Sequence, residues 1–273
     1  MVPVLSLRNP HLRDSNIQFF EEGHKYFIST DPDTAYTSVT TWVHKHFPEF
    51  KADEIIEKMM KGRNWKVGHK YWGMTPEQIK ALWEKNRNDV ADKGTELHSQ
   101  IEHFHNDKRF QFEYTNKELL EIYLADKGND LDKTPLEWQY FIRFIQDHPH
   151  LKPYRTEWMI YDDTVKIAGS IDMVYENPDG TLSIYDWKRS KKINKMNDYN
   201  QFAIHPIICH FPDSNYWHYA LQLNTYKYIL ETKYNKPIKD LFLVRLHPDA
   251  EEKTYELIQL PDLKNEVIDL LFS

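Results

Sequence analysis

The sequence predicts an α/β (α+β) core in which a central mixed β-sheet is flanked by helices and preceded by a helical N-terminal region. Two observations lead to this fold class. Helical patterns dominate the first 150 residues, and from Lys152 onward the apolar residues change to the two-residue period of strands. Further helices follow the strands, and helices that pack on a small mixed sheet form a single core of this class.

The N-terminal part of the chain is predicted to contain one hairpin and two short helices. Apolar stretches flank Glu-Glu-Gly-His within residues 16–29, which predicts a β-hairpin with glycine in its turn. Short helices are expected within residues 37–50 and 52–62, where Pro48 separates them and Gly62 ends the second.

Two further helices are predicted from the residues that begin them. In Thr75-Pro76-Glu77-Gln78, threonine is the N-cap, proline is the first helical residue and glutamine is the third. This helix is expected to continue toward His105, with a break or kink near Gly94. The same arrangement in Thr134-Pro135-Leu136-Glu137 predicts the start of a second helix.

Three consecutive strands are predicted over residues 154–162, 165–176 and 182–190. Asn177-Pro178-Asp179-Gly180 joins the last two, and these residue types strongly favour a turn. The remaining predicted elements are a helix over residues 215–234, strands near 240–248 and 253–260, and a C-terminal helix.

The composition is typical of a packed, soluble, intracellular protein of the cytoplasm or nucleus. Its 17 Tyr, 14 Phe and 8 Trp exceed what a disordered chain carries, and its single cysteine, Cys209, excludes an internal disulfide framework. No apolar run reaches the roughly 18–20 residues needed to cross a bilayer, so we expect no membrane partner. The net charge of −7 argues mildly against a sequence-blind nucleic-acid binder, although an acidic metal enzyme can carry local cationic surface.

The loop between the last two strands of the predicted trio decides which side chains face each other. If residues 177–181 form a five-residue loop, Glu176 pairs with Leu182 and Asp172 lies opposite Asp186. A four-residue loop would instead put the two aspartates on opposite faces of the sheet. We predict the five-residue loop.

Opposed aspartates need a compensating cation, because like charges across a sheet are destabilising. In this register Lys188 lies opposite Ser170 and on the same face as Asp186, so it can supply one positive charge. A divalent metal would supply more, and carboxylate oxygens suit Mg²⁺ or Mn²⁺. The alternative is that Asp-x-Lys is an ordinary solvated strand end, but Glu157 in the preceding strand adds a third carboxylate to the group.

Four short motifs occur in a characteristic order along about 130 residues: "GTELHSQIE", "GSIDMV", "IYDWKRS" and "QLNTY". Together they resemble the PD-(D/E)XK nuclease superfamily in its RecB-type exonuclease branch, with Ile171 where the superfamily name has proline. The resemblance implies a restriction-endonuclease-like core over residues 94–273, with the hairpin and helical region of residues 1–93 packed on it. The core motifs are also similar to those of the mitochondrial genome maintenance exonuclease, and the N-terminal layout to nucleases of large DNA viruses, which would make the chain virus-encoded.

The resemblance also assigns roles to residues of this chain. It implies one or two Mg²⁺ or Mn²⁺ ions whose ligands are Asp172, Asp186, His98, Glu157 and the backbone carbonyl of Trp187. Lys188 would orient or help deprotonate the attacking water and offset the anionic transition state. Some relatives hold an iron–sulfur cluster on four cysteines, which this chain, with one cysteine, does not provide.

Several residues are candidates for contact with nucleic acid. Gln222 and Tyr226 lie one helical turn apart and would hold the site or contact the substrate backbone, unless they are plain helix packing. Two basic segments could neutralise phosphates, the first directly after Lys188 and the second in residues 58–76 between tryptophans that could instead be core. The candidates in and near these segments are Arg189, Lys191, Lys192, Ser170, Arg63 and Lys66.

The function predicted from the sequence is therefore metal-dependent hydrolysis of DNA, by an exonuclease that acts on single-stranded or duplex ends in replication, recombination or repair. A structure-specific endonuclease is one alternative. A decayed nuclease fold that only binds nucleic acid is another, but it predicts loss of an aspartate or of the lysine, and all three are present. Glycoside hydrolysis by paired carboxylates explains neither Lys188 nor the basic run. The oligomeric state stays open.

Overall fold

The structure is a computed structural model that describes residues 3–109, 113–197 and 199–273, without the side chains of residues 127–129. Its helices are α1 (Val4–Arg8), α2 (Val39–His44), α3 (Ala52–Met60), α4 (Pro76–His105), α5 (Asn116–Lys127), α6 (Leu136–Asp147), α7 (Asn215–Lys233) and α8 (Lys264–Leu271). Its strands are β1 (Ile17–Phe20), β2 (Lys25–Ile28), β3 (Thr37–Ser38), β4 (Lys152–Asp162), β5 (Ile167–Glu176), β6 (Leu182–Lys188), β7 (Ile238–Arg245) and β8 (Glu256–Gln259). The predicted hairpin, the strand trio and the helix after it are all present, whereas α1 and α5 were not predicted.

The described chain divides into two compact units. The core unit consists of the residues up to Pro48 together with Leu97–Ser273, and the helical unit is Glu49–Glu96. The N-terminal hairpin belongs to the core unit because Ile17 and Ile28 pack with Tyr161 and Ala168 of the central strands. The segment before residue 49 belongs to the core unit, and the predicted boundary between residues 93 and 94 stays a prediction.

Six strands form a mixed sheet in the core unit, in the order β3-β5-β6-β7-β8, with β4 on the other edge of β5. The β3–β5 and β6–β7 pairs are parallel and the other pairs are antiparallel, which confirms the predicted mixed sheet. Because β4 covers one edge of β5 from end to end, β3 and β6 share its other edge. β3 pairs with residues 167–168 of β5, and β6 pairs with residues 173–176. Residues 169–172 of β5 therefore lie in a gap between β3 and β6.

The register predicted between β5 and β6 is confirmed. Glu176 pairs with Leu182, and the backbone N–H of Asn177 donates to the carbonyl of Thr181 at 2.8 Å across the five-residue loop. Strand pairing extends to Met173 and Tyr185, after which Asp172 and Asp186 are next in register.

The predicted pair of Ser170 and Lys188 does not form. The N–H of Trp187 donates to a carboxylate oxygen of Asp172 at 3.0 Å instead of continuing the strand pairing, so the backbone ladder ends before Ser170 reaches Lys188. The side chain of Asp172 thus takes the place of a backbone acceptor at the point where the two strands separate.

Both predicted helices start where expected, but only the first has the predicted cap. At α4 the N–H of Thr75 donates to Gln78 Oε1 at 2.9 Å and the N–H of Gln78 donates to Thr75 Oγ1 at 3.3 Å, which is the reciprocal cap expected from the sequence. The helix then runs unbroken through Gly94. At α6 the N-cap is Pro135, which has no side-chain acceptor to offer, and the hydroxyl of Thr134 donates to the Leu131 carbonyl instead.

Alternation along the strands builds an apolar layer on each face of the sheet. Ile184 and Leu243 pack in the cluster formed with α2, α7 and α8, while their neighbours Tyr185 and Val244 pack in the cluster formed with α6 and the last turns of α4. The sheet is therefore covered on both faces, and the gap beside β5 is the point where polar side chains enter.

Candidate active site

Three potential metal ligands converge at the gap beside β5. His98 comes from the C-terminal part of α4, Glu157 from β4 and Asp172 from β5, and one ligand atom of each lies within 4.8 Å of the others. His98 Nδ1 is 3.6 Å from Asp172 Oδ2 and 3.8 Å from Glu157 Oε1. On its other side, His98 Nε2 lies 2.8 Å from the carbonyl oxygen of Trp187. His98 and three of the other four predicted ligands therefore lie in contact with one another around its imidazole ring.

The backbone of Glu157 is strained in a way that the sequence did not reveal. Its φ is +42°, in the left-handed region, although its neighbours Thr156 and Trp158 are paired normally with β5. A non-glycine residue held there costs of order 1–3 kcal/mol, and such strain is concentrated at functional sites. The carboxylate also accepts a hydrogen bond from the Ser170 hydroxyl at 3.2 Å. Ser170 therefore contacts a predicted metal ligand.

The two carboxylates of this cluster favour a positive charge beside them. Burial alone lowers the pKa of His98, but the carboxylates of Asp172 and Glu157 outweigh it and raise that pKa to about 9. Burial raises the pKa of Asp172, and the nearby Glu157 carboxylate adds to the effect. In the absence of another cation, the extra proton of His98 neutralises part of the carboxylate charge.

Asp186 and Lys188 form a buried ion pair beside the cluster. Lys188 Nζ is 2.7 Å from Asp186 Oδ2, and Asp186 is only 2% exposed. Burial and the charge of Asp172 raise the pKa of Asp186 to about 6. Burial lowers the pKa of Lys188, but Asp186 and Asp172 prevail and raise it above its usual value. The first partner of Asp186 is therefore Lys188 and not the His98 cluster.

The residues present fit a divalent cation. Carboxylate oxygens, a backbone carbonyl and an imidazole are ligands that Mg²⁺ or Mn²⁺ accepts, and carboxylates dominate the set. Asp186 adds a further buried carboxylate beside this set, and its Oδ2 is 2.7 Å from the Lys188 ammonium. The charge and the donor atoms thus agree with the metal predicted from the sequence.

Tyr226 supports the site from inside the core and does not face the surface. It is 3% exposed, and its hydroxyl accepts a hydrogen bond from the Gln222 amide at 3.0 Å. Of the two roles predicted for Tyr226, its burial fits holding the site and does not fit contact with the substrate backbone. Gln222 also lies 3.4 Å from the Thr40 hydroxyl, at the exposed end of this pair.

Gly169 is a site residue that the sequence reasoning missed. A Cβ at this position would lie 2.6 Å from Cε1 of Tyr226, so the tyrosine ring can approach β5 only because residue 169 has no side chain. The available signal was an isolated glycine inside a strand, which often marks such a close approach.

The basic run after Lys188 is largely paired with acidic residues. Arg189 donates to Glu137 on α6 at 2.9 Å, and their side chains are only 9% and 16% exposed. Arg189 is therefore committed to a partly buried ion pair, which corrects its predicted contact with nucleic acid. Lys191 and Lys192 pair with exposed acidic residues at 3.5 and 3.3 Å. Exposed pairs of this kind are weak, so these two lysines are available to phosphates.

The second basic segment lies in the helical unit. Arg63 and Lys66 are exposed there, and their contact with the substrate stays a prediction. The ring of Trp65 is half-buried and 5.8 Å from that of Trp72, which is 46% exposed. Of the two alternatives left open for these tryptophans, core packing is excluded for Trp72 by its exposure.

The chain belongs to the PD-(D/E)XK nuclease superfamily, whose family model matches residues 70–271. This confirms the superfamily and the fold class predicted from the four motifs, while the RecB-type branch and the viral resemblance stay predictions. No curated protein matches the chain. Among solved structures, it is similar to a protein from Eubacterium rectale that is provisionally named an exonuclease, with 14% identity and a TM-score of 0.32 over 60% of this chain. The match spans 65% of that protein's chain.

The helices that the structure describes include none with the length and apolar character needed to cross a membrane.

Proposed function

We propose that this member of a nuclease superfamily is a Mg²⁺- or Mn²⁺-dependent deoxyribonuclease, and that it acts as an exonuclease on DNA ends in replication, recombination or repair. The observation that carries the proposal is the convergence of His98, Glu157 and Asp172 beside the buried pair of Asp186 and Lys188. All the motif residues are present in one place, which argues against a decayed fold that only binds nucleic acid.

Each residue of the site has a task in this proposal. His98, Glu157, Asp172 and the Trp187 carbonyl would hold the cation, and Asp186 orients Lys188 and would be the fifth ligand. A bound divalent ion supplies charge stabilisation on the phosphate and lowers the pKa of a water ligand. Lys188 directs its ammonium toward the reacting phosphate and offsets the negative charge that develops there.

The substrate contacts follow from the available cations. Lys191 and Lys192 lie directly after the site in sequence and bind phosphates of the same strand, because their acidic partners are exposed and easily displaced. Arg63 and Lys66 of the helical unit provide further phosphate contacts, and the exposed face of Trp72 can stack on an unpaired base.

A cleavage assay tests the proposal. Labelled linear and circular DNA, single- and double-stranded, is incubated with Mg²⁺, Mn²⁺ or EDTA. We expect degradation of linear DNA with either metal and none in EDTA. Lys188→Met and His98→Ala each reduce the rate by at least about 100-fold, as expected for loss of one group that acts in the transition state. His103→Ala, an exposed histidine on the same helix, is the matched control and retains the rate.

Two results would contradict the proposal at different levels. Absence of cleavage with every metal and substrate would refute the nuclease activity. Cleavage of circular DNA would refute a strict exonuclease and favour the structure-specific endonuclease.

A further inference from the structure

A small cavity between α2 and α7 lies beside the site and has no role in the proposed chemistry. Its volume is about 250 Å³. Its polar lining consists of Thr40 and His44 on α2 and of Asn215, His218, Tyr219 and Gln222 on α7. We call it the α2–α7 cavity.

Two walls of the α2–α7 cavity are in direct contact with the site. The ring of Tyr219 lies 4.5 Å from Lys188 Nζ, measured to the ring centroid. The amide of Gln222 bonds the hydroxyl of Tyr226, whose ring packs on Gly169. A group held in the cavity is therefore next to the catalytic lysine.

A third wall connects the cavity to the basic run. The side chain of Asn215 donates to the carbonyl of Lys192 at 2.8 Å and accepts from the N–H of Asn194 at 3.0 Å. The segment after β6 is thereby fixed at the cavity rim. Phosphates bound by Lys191 or Lys192 would have their nucleotides beside this opening.

The lining favours a neutral, flat ligand with hydrogen-bonding edges. Among the residues that the structure describes, none that lines the cavity is Asp, Glu, Lys or Arg, so no charged side chain faces a bound group directly. The hydroxyl of Thr40 and the amides supply donors and acceptors, and Tyr219 and His218 supply aromatic surface. The volume is below the roughly 300 Å³ at which pockets for drug-sized molecules begin, so there is room for one ring system only.

His218 is held as a fixed aromatic wall. Its Nε2 donates to the carboxylate of Asp213 at 2.8 Å, and its ring lies 3.9 Å from that of Phe47. Burial lowers the pKa of His218, so the ring is neutral at pH 7 and its other nitrogen is an acceptor. A second imidazole, that of His44, lies 5.4 Å away.

From this lining we infer that the α2–α7 cavity binds a nucleobase of the substrate strand, in a nucleotide next to the cleaved bond. The inference rests on the proposed function for the identity of that bond. The enzyme would then contact the base itself and not only the phosphates. Single-stranded or unpaired ends would be the preferred substrate, because a base within a duplex is stacked and paired and cannot enter the cavity.

A binding assay with abasic oligonucleotides tests the inference without cleavage. Single-stranded oligonucleotides carry one abasic site that is moved from position to position, and affinity is measured by fluorescence anisotropy in EDTA. We expect one position at which loss of the base weakens binding about five-fold or more, the lower range for a stacked base. Thr40→Phe fills the cavity and abolishes this difference. Thr41→Phe, an exposed neighbour outside the cavity, preserves it.

A free deoxynucleoside provides a second, independent measurement. Addition of deoxyadenosine should shift the ring-proton NMR signals of His218 and His44 in the wild type and leave them unchanged in Thr40→Phe. The inference is overturned if these signals do not move, or if Thr40→Phe keeps the sensitivity to the abasic position. Base binding without any DNA cleavage would uphold the cavity and refute the proposed nuclease, so the two failures are distinguishable.

Discussion

The close approach of Gly169 and Tyr226 yields a quantitative test of how the site is supported. In Gly169→Ala, the new Cβ would lie 2.6 Å from Cε1, 3.1 Å from the hydroxyl and 3.2 Å from Cζ of the tyrosine. Carbon atoms in contact are ordinarily about 3.5–4.0 Å apart, so the ring or the strand must move by about 1 Å. Tyr226 is enclosed by the core and cannot swing into solvent.

The expected cost follows from these contacts. Overpacking of a core costs about 1–3 kcal/mol, and displacement of the ring also weakens the bond from Gln222, worth about 1 kcal/mol. Replacement of glycine restricts the unfolded chain and returns about 0.4–1 kcal/mol. Gly169→Ala should therefore lower the free energy of unfolding by about 2 kcal/mol. Gly94→Ala on α4 is the matched control, because no atom of the described residues lies within 4 Å of its Cβ, and it should raise the free energy slightly.

Denaturant unfolding followed by circular dichroism measures both changes. Adding Tyr226→Phe to Gly169→Ala should not restore stability, since the nearest atom is Cε1 and not the hydroxyl. Adding Tyr226→Leu should restore part of it. If Gly169→Ala is as stable as Gly94→Ala, or if removal of the hydroxyl alone restores its stability, the close approach does not limit residue 169 to glycine.

Two further predictions concern buried polar groups. Burial lowers the pKa of His105 to about 4, although the hydrogen bond of its ring to the Ile101 carbonyl acts in the opposite direction. The wild type should thus lose about 3 kcal/mol of unfolding free energy from this group as the pH falls from 6.5 to 4, and unfolding at several pH values measures this loss. The loss should be absent in His105→Asn and present in His103→Asn. Equal pH slopes for the wild type and His105→Asn would contradict the prediction. Glu137→Ala should lower the free energy of unfolding by about 2–3 kcal/mol in the same assay, because Arg189 is left without its partner. The double variant Arg189→Met with Glu137→Leu should recover most of this stability. If it recovers none, the loss is not electrostatic.

Local patterns in the sequence were sufficient for the features that involve residues close along the chain. The reciprocal cap of Thr75 and Gln78 spans three residues, and the loop of residues 177–181 fixed the pairing of Glu176 with Leu182. Because side chains alternate along strands, this pairing placed Asp172 and Asp186 next to each other. The ordered motifs then indicated the nuclease superfamily, which the family model confirms.

The tertiary structure decided the features that depend on residues far apart in the chain. Arg189 became a partner of Glu137, 52 residues away, and Tyr226 packed on Gly169 across the sheet. No local sequence pattern predicts such contacts, because the sequence around Arg189 does not specify which acidic residue pairs with it, and the sequence around Tyr226 does not specify which residue its ring packs on. The left-handed backbone of Glu157 likewise needs the strand pairs on either side to hold it. The sequence thus determined which ionisable groups line the site, and tertiary packing decided which of them form hydrogen bonds and ion pairs with one another.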